Sequence, residues 1–390
     1  MENNDRNINC PTCNCNGEYL IDWEYSGLNH SVFNYTAKFC KCENCGLVWV
    51  SNITDEELSN FYTQECFYFD SSHFDVTASK NIKKYEYYKS LLEEFDLQGQ
   101  RVSDIGCGRG GFVSWLMKNN WGSVCCGVDV DLKSFSVGDN KNAPLFIEGS
   151  AVSLPFEEGT QDVLTYFHVF EHIIDINKVL NEANRVLKND GYLVLEVPDA
   201  EGYEKCPVNK GFWISIREHI YHFSPNAFIN VLNNNGFEVK AVKQKILSAP
   251  EFEYPSLAIV AQKNDKKNVI ESKNNNDIGE FFLKSFKEFS NKAQNIKTIM
   301  ENYDKVVFWG ISGQLLTFLP LLKNDFNKIK ICDMSPQKQK AVYQGIEIQD
   351  PANCYEKNSC LIISSYLYRN QIRQSAQGLG WQNKDIFDLM

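Results

Sequence analysis

The spacing of apolar residues changes period repeatedly along the middle of the chain. Short apolar or alternating runs at 102–105, 123–129, 145–150, 161–168 and 192–198 read as strands. Between them, Ile176, Val179, Leu180, Ala183, Val186 and Leu187 recur every third or fourth residue, the spacing of one helix face, and Asn189-Asp190-Gly191 is expected to stop that helix. Runs at 80–95 and 112–118 are further helices. Pro198 must fall at a strand end, where no ladder donor is needed. Strands alternating with helices predict a doubly wound α/β sheet. Runs at 237–242 and 256–261 close it, and their short connection predicts an antiparallel pair.

The pattern differs on either side. Upstream lie short aromatic and β-branched runs such as 32–35, and a helix at 55–62 capped by Thr54. Downstream, polar stretches at 262–268 and 274–276 read as a linker. A helix at 279–300 follows, and then a second strand–helix series: strand from 305, helix 315–322, strand 329–333, strands 346–348 and 360–365. Three units are expected: residues 1–75, 76–265, and a small Rossmann-like α/β domain over 266–390.

At 390 residues the chain exceeds one ordinary core, which agrees with several units. Its formal net charge is −11 and no basic run stands out, which argues against a nucleic-acid partner. No apolar stretch is long enough to span a bilayer, and the polar start has no signal-peptide core. A cytoplasmic chain with no membrane partner is expected. Of the 14 cysteines, Cys10-x-x-Cys13 and Cys42-x-x-Cys45 are paired as in a zinc ribbon, with Gly46 suited to the turn after the second pair. Zinc held by four thiolates is closed to chemistry, so the metal is read as structural, and a module this small needs such a staple. Cys15 and Cys40 lie close enough to compete as ligands.

The densest signal is Asp104-Ile105-Gly106-Cys107-Gly108-Arg109-Gly110-Gly111, a strand running through a glycine turn into a helix. That is how a nucleotide-binding βαβ unit opens. Gly106, Gly108 and Gly111 match dinucleotide spacing, but that match alone is weak. Asp104 decides between ligands. A pyrophosphate needs a helix N-terminus clear of negative charge, whereas an ammonium and a sulfonium tolerate a carboxylate. The pattern Asp-x-Gly-x-Gly-x-Gly resembles the first motif of class I S-adenosylmethionine (SAM) methyltransferases. The resemblance implies that Asp104, Gly106, Cys107, Gly108 and Gly110 surround SAM. Asp129 ends the second strand, where a carboxylate can take both ribose hydroxyls. The segment 149–156 resembles the family's adenine-binding loop and contributes Ser150 and Ala151; the family more often has Asp at the position of Ser150. Phe167 and His168 end the fourth strand, at the sheet edge where ligands sit. His168 reads as a floor residue beside the methyl group, a proton acceptor, or a satisfied structural histidine. Glu171 and His172 read as scaffold.

The second informative stretch is Ile216-Arg217-Glu218-His219-Ile220-Tyr221-His222-Phe223-Ser224-Pro225. Ionisable side chains and an aromatic at a strand-to-helix connection suit substrate binding and proton transfer, and Ser224-Pro225 caps the next helix. The order of cysteine module, methyltransferase and Rossmann-like domain resembles the sugar C-methyltransferases, which act on nucleotide-linked deoxysugars. Carried over, His219 removes the proton α to a 4-keto group and Glu218 orients it or binds hydroxyls. Catalysis then comes largely from alignment, with a base near neutral pKa. Ile216 departs from the family's tyrosine, and either Tyr62 or Tyr68 matches its N-terminal active-site tyrosine. The aromatic run 67–74 is a lid or a packing seam. Gly310-x-x-Gly313 holds the nucleotide part of a substrate, or nothing.

Other readings predict other features. A sugar or small-metabolite O-methyltransferase needs only a base beside a hydroxyl, served by His168 or His219. An RNA methyltransferase needs a basic face, and a dehydrogenase needs NAD at a glycine turn. A zinc-ribbon binding protein with an inactive methyltransferase fold predicts a damaged SAM motif, yet Asp104, the glycines and Asp129 are intact.

Overall fold

The computed structural model describes residues 8–29, 31–64, 79–121, 124–132, 144–206, 211–248, 252–264 and 278–389. The aromatic run 67–74, with Tyr68, and most of the linker lie outside these residues. No helix among those described is long and apolar enough to cross a membrane.

The first unit is an antiparallel sheet of β1 (Gly17–Tyr25), β2 (Tyr35–Cys42) and β3 (Val48–Val50), followed by α1 (Asp55–Gln64). Thr54 and Glu57 cap α1 reciprocally: Thr54 N donates to Glu57 Oε2 at 2.9 Å, and Glu57 N donates to Thr54 Oγ1 at 3.3 Å.

The central unit contains α2 (Ser79–Glu93), β4 (Val102–Ile105), α3 (Gly111–Lys118), β5 (Cys125–Asp129), β6 (Leu145–Glu148), β7 (Gln161–Phe167), α4 (Ile176–Val186), β8 (Leu187–Pro198), α5 (Gly211–Ile214), β9 (Tyr221–His222), α6 (Pro225–Asn234), β10 (Phe237–Ser248) and β11 (Glu253–Lys263). Its seven-stranded sheet runs β10-β11-β8-β7-β4-β5-β6. All neighbours from β8 to β6 are parallel, and β11 is antiparallel to both strands it touches. The helix α4 stops at Val186, earlier than its apolar spacing suggested. Leu187 already pairs with Gln161, and a register shift then brings Tyr192 opposite Val163. Asn189 and Asp190 therefore lie within β8, with Asp190 taking the left-handed turn (φ 62°) that the extra residues need.

The strand β9 does not join this sheet. Val48 pairs with His222 and Trp49 with Tyr221, so β9 is the fourth strand of the first sheet, across the expected division at residue 75. The phenylalanines of α7 (Ile278–Met300) cover the same sheet. Phe286 lies 4.5 Å from Trp23 and 5.2 Å from Phe39, ring centre to ring centre. Such aromatic pairs add to what burial alone contributes.

The last unit has β12 (Lys305–Trp309), α8 (Gly313–Phe318), β13 (Ile329–Cys332), β14 (Val342–Tyr343), β15 (Ile346–Gln349), β16 (Ser359–Ile363), α9 (Arg369–Leu379) and β17 (Ile386–Asp388). The strands lie in the order β14-β15-β13-β12-β16-β17, parallel except at β14. The helix expected over 315–322 ends at Phe318. Pro320 has no N–H to continue it, and the chain tightens into 3-10 turns over Leu319–Lys328.

Candidate active site

Three glycines shape the turn after β4: Gly106, Gly108 and Gly110 have φ of 69°, 54° and 65°, a region other residues rarely enter. They do different work. A Cβ on Gly106 would sit 2.6 Å from Val169 Cγ2, so that glycine permits close packing under the turn. A Cβ on Gly108 would meet nothing within 4 Å, so that glycine faces open space. Asp129, at the end of β5, accepts from Gly108 N at 2.8 Å, and burial raises its carboxyl. Asp104 is buried beneath the turn. Thr165 Oγ1 donates to it at 2.6 Å, and burial pushes its carboxyl up to about 7.

Beside the turn lies a group of histidines and carboxylates. His168 has a left-handed backbone (φ 57°), which swings its ring across the end of the sheet. Both ring nitrogens are engaged: Nδ1 lies 3.1 Å from Glu171 Oε1, and Nε2 lies 2.9 Å from Glu196 Oε2 and 3.0 Å from Tyr254 Oη. Burial opposes a charge on this ring, but the two carboxylates outweigh it and raise its pKa to about 9. The His168 charge in turn holds the fully buried Glu196 carboxyl below its usual range, against the effect of burial.

His172 and His219 form a second pair, with ring centres 4.8 Å apart. His172 Nδ1 donates to the Glu218 carbonyl at 3.1 Å. A carbonyl only accepts, so a proton sits on Nδ1, while Nε2 faces Glu171 Oε1 at 3.8 Å. His219 is buried, and its Nδ1 has no partner. Burial holds this imidazole well below its ordinary pKa, and the neighbouring His172, His222 and His168 act in the same direction. His222 is bonded through Nδ1 to Tyr203 Oη at 3.0 Å, and burial brings it down to about 3. Tyr62, from α1, sets its ring edge-on to His172 at 6.0 Å. Donor atoms of Glu171, His172 and His219 lie within 4.8 Å of one another and can reach a divalent cation. Glu171 is already the counter-charge of His168, however, which weakens the site as a cation cage.

The sulfurs of Cys10, Cys13, Cys42 and Cys45 also gather within 4.8 Å. Cys10 and Cys45 are 3.6 Å apart, and Cys13 and Cys42 3.4 Å. Sulfurs around tetrahedral zinc, each at about 2.3 Å, stand close to this spacing from one another. Cys15 is exposed and Cys40 is buried outside the group.

Residues 80–242 match a family model described as a methyltransferase domain. Over these residues the chain is similar to methyltransferase domains. The Bacillus subtilis methyltransferase YcgJ is 32% identical over 31% of this chain and 53% of its own length. A Bordetella avium ubiquinone biosynthesis O-methyltransferase is 28% identical over 36% of this chain and 60% of its own. The solved structure of YcgJ covers 46% of this chain and 100% of its own, at 18% identity and a TM-score of 0.38. The chain spans about half the length of the first curated relatives it matches.

The residues of this domain fit SAM. The open face at Gly108 is bordered by the Asp129 carboxylate, a combination suited to a ribose lying on the turn. Cys107 N donates to Val128 O at 3.1 Å and is part of the turn's frame. Ser150 and Ala151 are half-buried after β6, and Ser150 Oγ accepts from Val152 N at 3.4 Å. Phe167 stacks on Tyr88 at 3.7 Å and meets Phe112 edge-on, as part of the wall.

Of the three readings of His168, its contacts favour the floor or structural one over the proton acceptor, because both ring nitrogens are engaged and the flanking carboxylates favour the charged ring. His172, expected as scaffold, stands beside His219. Glu196 is the further residue of this group, and its sequence signal is a lone charge in the otherwise apolar strand 192–198.

Proposed function

We propose that this chain transfers a methyl group from SAM to a small-molecule acceptor, a carbon of a nucleotide-linked keto-deoxysugar. The observation that carries the reading is His219: a buried imidazole with a free nitrogen, kept uncharged by its surroundings, next to Glu218 and His172. The uncharged ring keeps a lone pair for a C–H proton. Its lowered pKa makes it a weaker base than the near-neutral one expected from the sequence, so binding of the acceptor must supply the charge that raises it. Bound SAM supplies an electrophilic methyl group. His219 Nδ1 takes the proton α to the keto group, and the His172 ring packs against it. Glu218, half-buried at the rim, binds sugar hydroxyls. His168, fixed as an imidazolium between two carboxylates, balances buried charge and holds the floor. Asp129 and Gly108 hold the adenosine, with Ser150 at the adenine edge and Asp104 bracing the turn. The four-cysteine cluster holds a structural zinc.

The test is calorimetry of the metal-replete chain with SAM and a panel of nucleotide-sugars, followed by product analysis. SAM and one nucleotide-sugar bind together, and His219→Asn abolishes methyl transfer while keeping SAM affinity. A product methylated on oxygen moves the acceptor atom. Absence of SAM binding in the folded chain overturns the reading.

A further inference from the structure

We propose that Arg217 is a positioning residue, through which the first sheet fixes the place of the Glu218–His219 pair. This rests on the role given to His219 above. The Arg217 side chain reaches into the first unit. Its guanidinium carbon lies 5.0 Å from the ring centre of Phe61 and 5.5 Å from that of Phe33. Nη1 donates to the Phe33 carbonyl at 2.8 Å and to Ser31 Oγ at 3.1 Å. Its own carbonyl accepts from Tyr35 Oη at 2.7 Å. Gly27 leaves room for this approach: a Cβ there would stand 2.7 Å from Nη1. Side chain and backbone of the residue preceding Glu218 are thus held from the first unit. A planar guanidinium can stack and donate at once, which an ammonium cannot.

The same loop is tied at each side of this anchor. Tyr25 Oη donates to the Ile214 carbonyl at 2.5 Å. Val50 N donates to the Ile220 carbonyl at 2.9 Å, and β3 then pairs with β9. Ser224 Oγ donates to the carbonyl of Cys45, itself in the cysteine cluster, at 2.8 Å. The central sheet supplies the floor at His168, while the proton acceptor hangs from the first sheet. Arg217 is the tie adjacent to the pair.

The test uses the full chain with 15N-labelled histidine. The chain has six histidines, so individual ring signals are resolvable. In Arg217→Gln, the ring signals of His219 and His172 move or broaden, while the His168 signal and the calorimetric affinity for SAM stay as in wild type. Arg217→Lys keeps the charge without the fork and recovers only part of the shift. Unmoved His219 and His172 signals in Arg217→Gln overturn the proposal. So does a simultaneous loss of the His168 signal and SAM binding in the folded Arg217→Lys chain, because that effect would be general rather than positional. If Arg217→Gln does not fold, Phe61→Leu, which removes only one ring from the guanidinium, is judged by the same signals. Wild-type SAM binding is measured separately, so failure of the methyl-transfer reading is distinguishable.

Discussion

Replacing Glu196 by glutamine should both lower the pKa of His168 and remove a pH-dependent part of the stability. Glu196 is fully buried, with Oε2 at 2.9 Å from His168 Nε2 and accepting from Tyr88 Oη at 2.8 Å. In the fold the His168 pKa rises from 6.5 to about 9. Each unit is worth about 1.4 kcal/mol, so the charged ring contributes on the order of 3 kcal/mol, shared between Glu196 and Glu171. A group whose pKa is raised by folding gives its full contribution below the unfolded value of 6.5, and that contribution is lost as pH rises through about 9. Glu196, held low, acts at the other end: its contribution is present above the ordinary carboxyl value of 4.5 and is lost as pH falls below it. The contribution of this pair is therefore largest between these limits. In Glu196→Gln the His168 pKa drops by about 1–3 units, and about 2 kcal/mol of stability disappears near pH 6 but much less near pH 9.5. Histidine NMR titration reads the first effect, and urea unfolding at the two pH values reads the second. A wild-type His168 that titrates near 6.5, or a variant penalty that is equal at both pH values, refutes the reasoning.

Gly106→Ala places a Cβ against Val169 at positive φ and should cost about 1–3 kcal/mol, seen as a lower thermal midpoint. Asp129→Ala removes the carboxylate beside the open face at Gly108; SAM binds roughly tenfold or more weakly by calorimetry, and His168 is unaffected. Ser224→Ala loses both the cap that accepts from Ala227 N at 3.1 Å and the bond to the Cys45 carbonyl; denaturant unfolding should show a loss of about 1–2 kcal/mol.

What was legible in the sequence was short in range. The Asp104–Gly110 turn, the two cysteine pairs, Thr54 before α1 and Ser224 before α6 are each set by residues within a few positions of one another. Their local backbone demands are visible in residue type. The role of β9 was not legible. Two residues are too few to show a period, and the partner that makes them a strand, Val48–Trp49, lies far upstream. The tertiary pairing, rather than local propensity, creates the element. His172 was hidden for a similar reason. Nothing in Phe170-Glu171-His172 distinguishes a satisfied histidine from one facing His219, because the choice depends on which distant carbonyl takes its Nδ1 proton. His168 shows the converse. Its place at the strand end was visible, but the two carboxylates that occupy both its nitrogens come from different elements.

The fourth strand of the first sheet also imposes an order of events during synthesis. The strands β1, β2 and β3 are synthesised before β9, and units made first generally begin to fold first. Here the edge of β3 has no partner until Tyr221 and His222 have emerged. Until then its unpaired backbone groups are open to pairing with another chain, the usual hazard of a bare strand edge. Closing so long a loop is slow relative to local pairing. The cysteine-bearing sheet is thus begun before the central unit is made and completed only after most of it has emerged. In recombinant production, chaperone cover over this interval should therefore improve the yield of correctly folded chain.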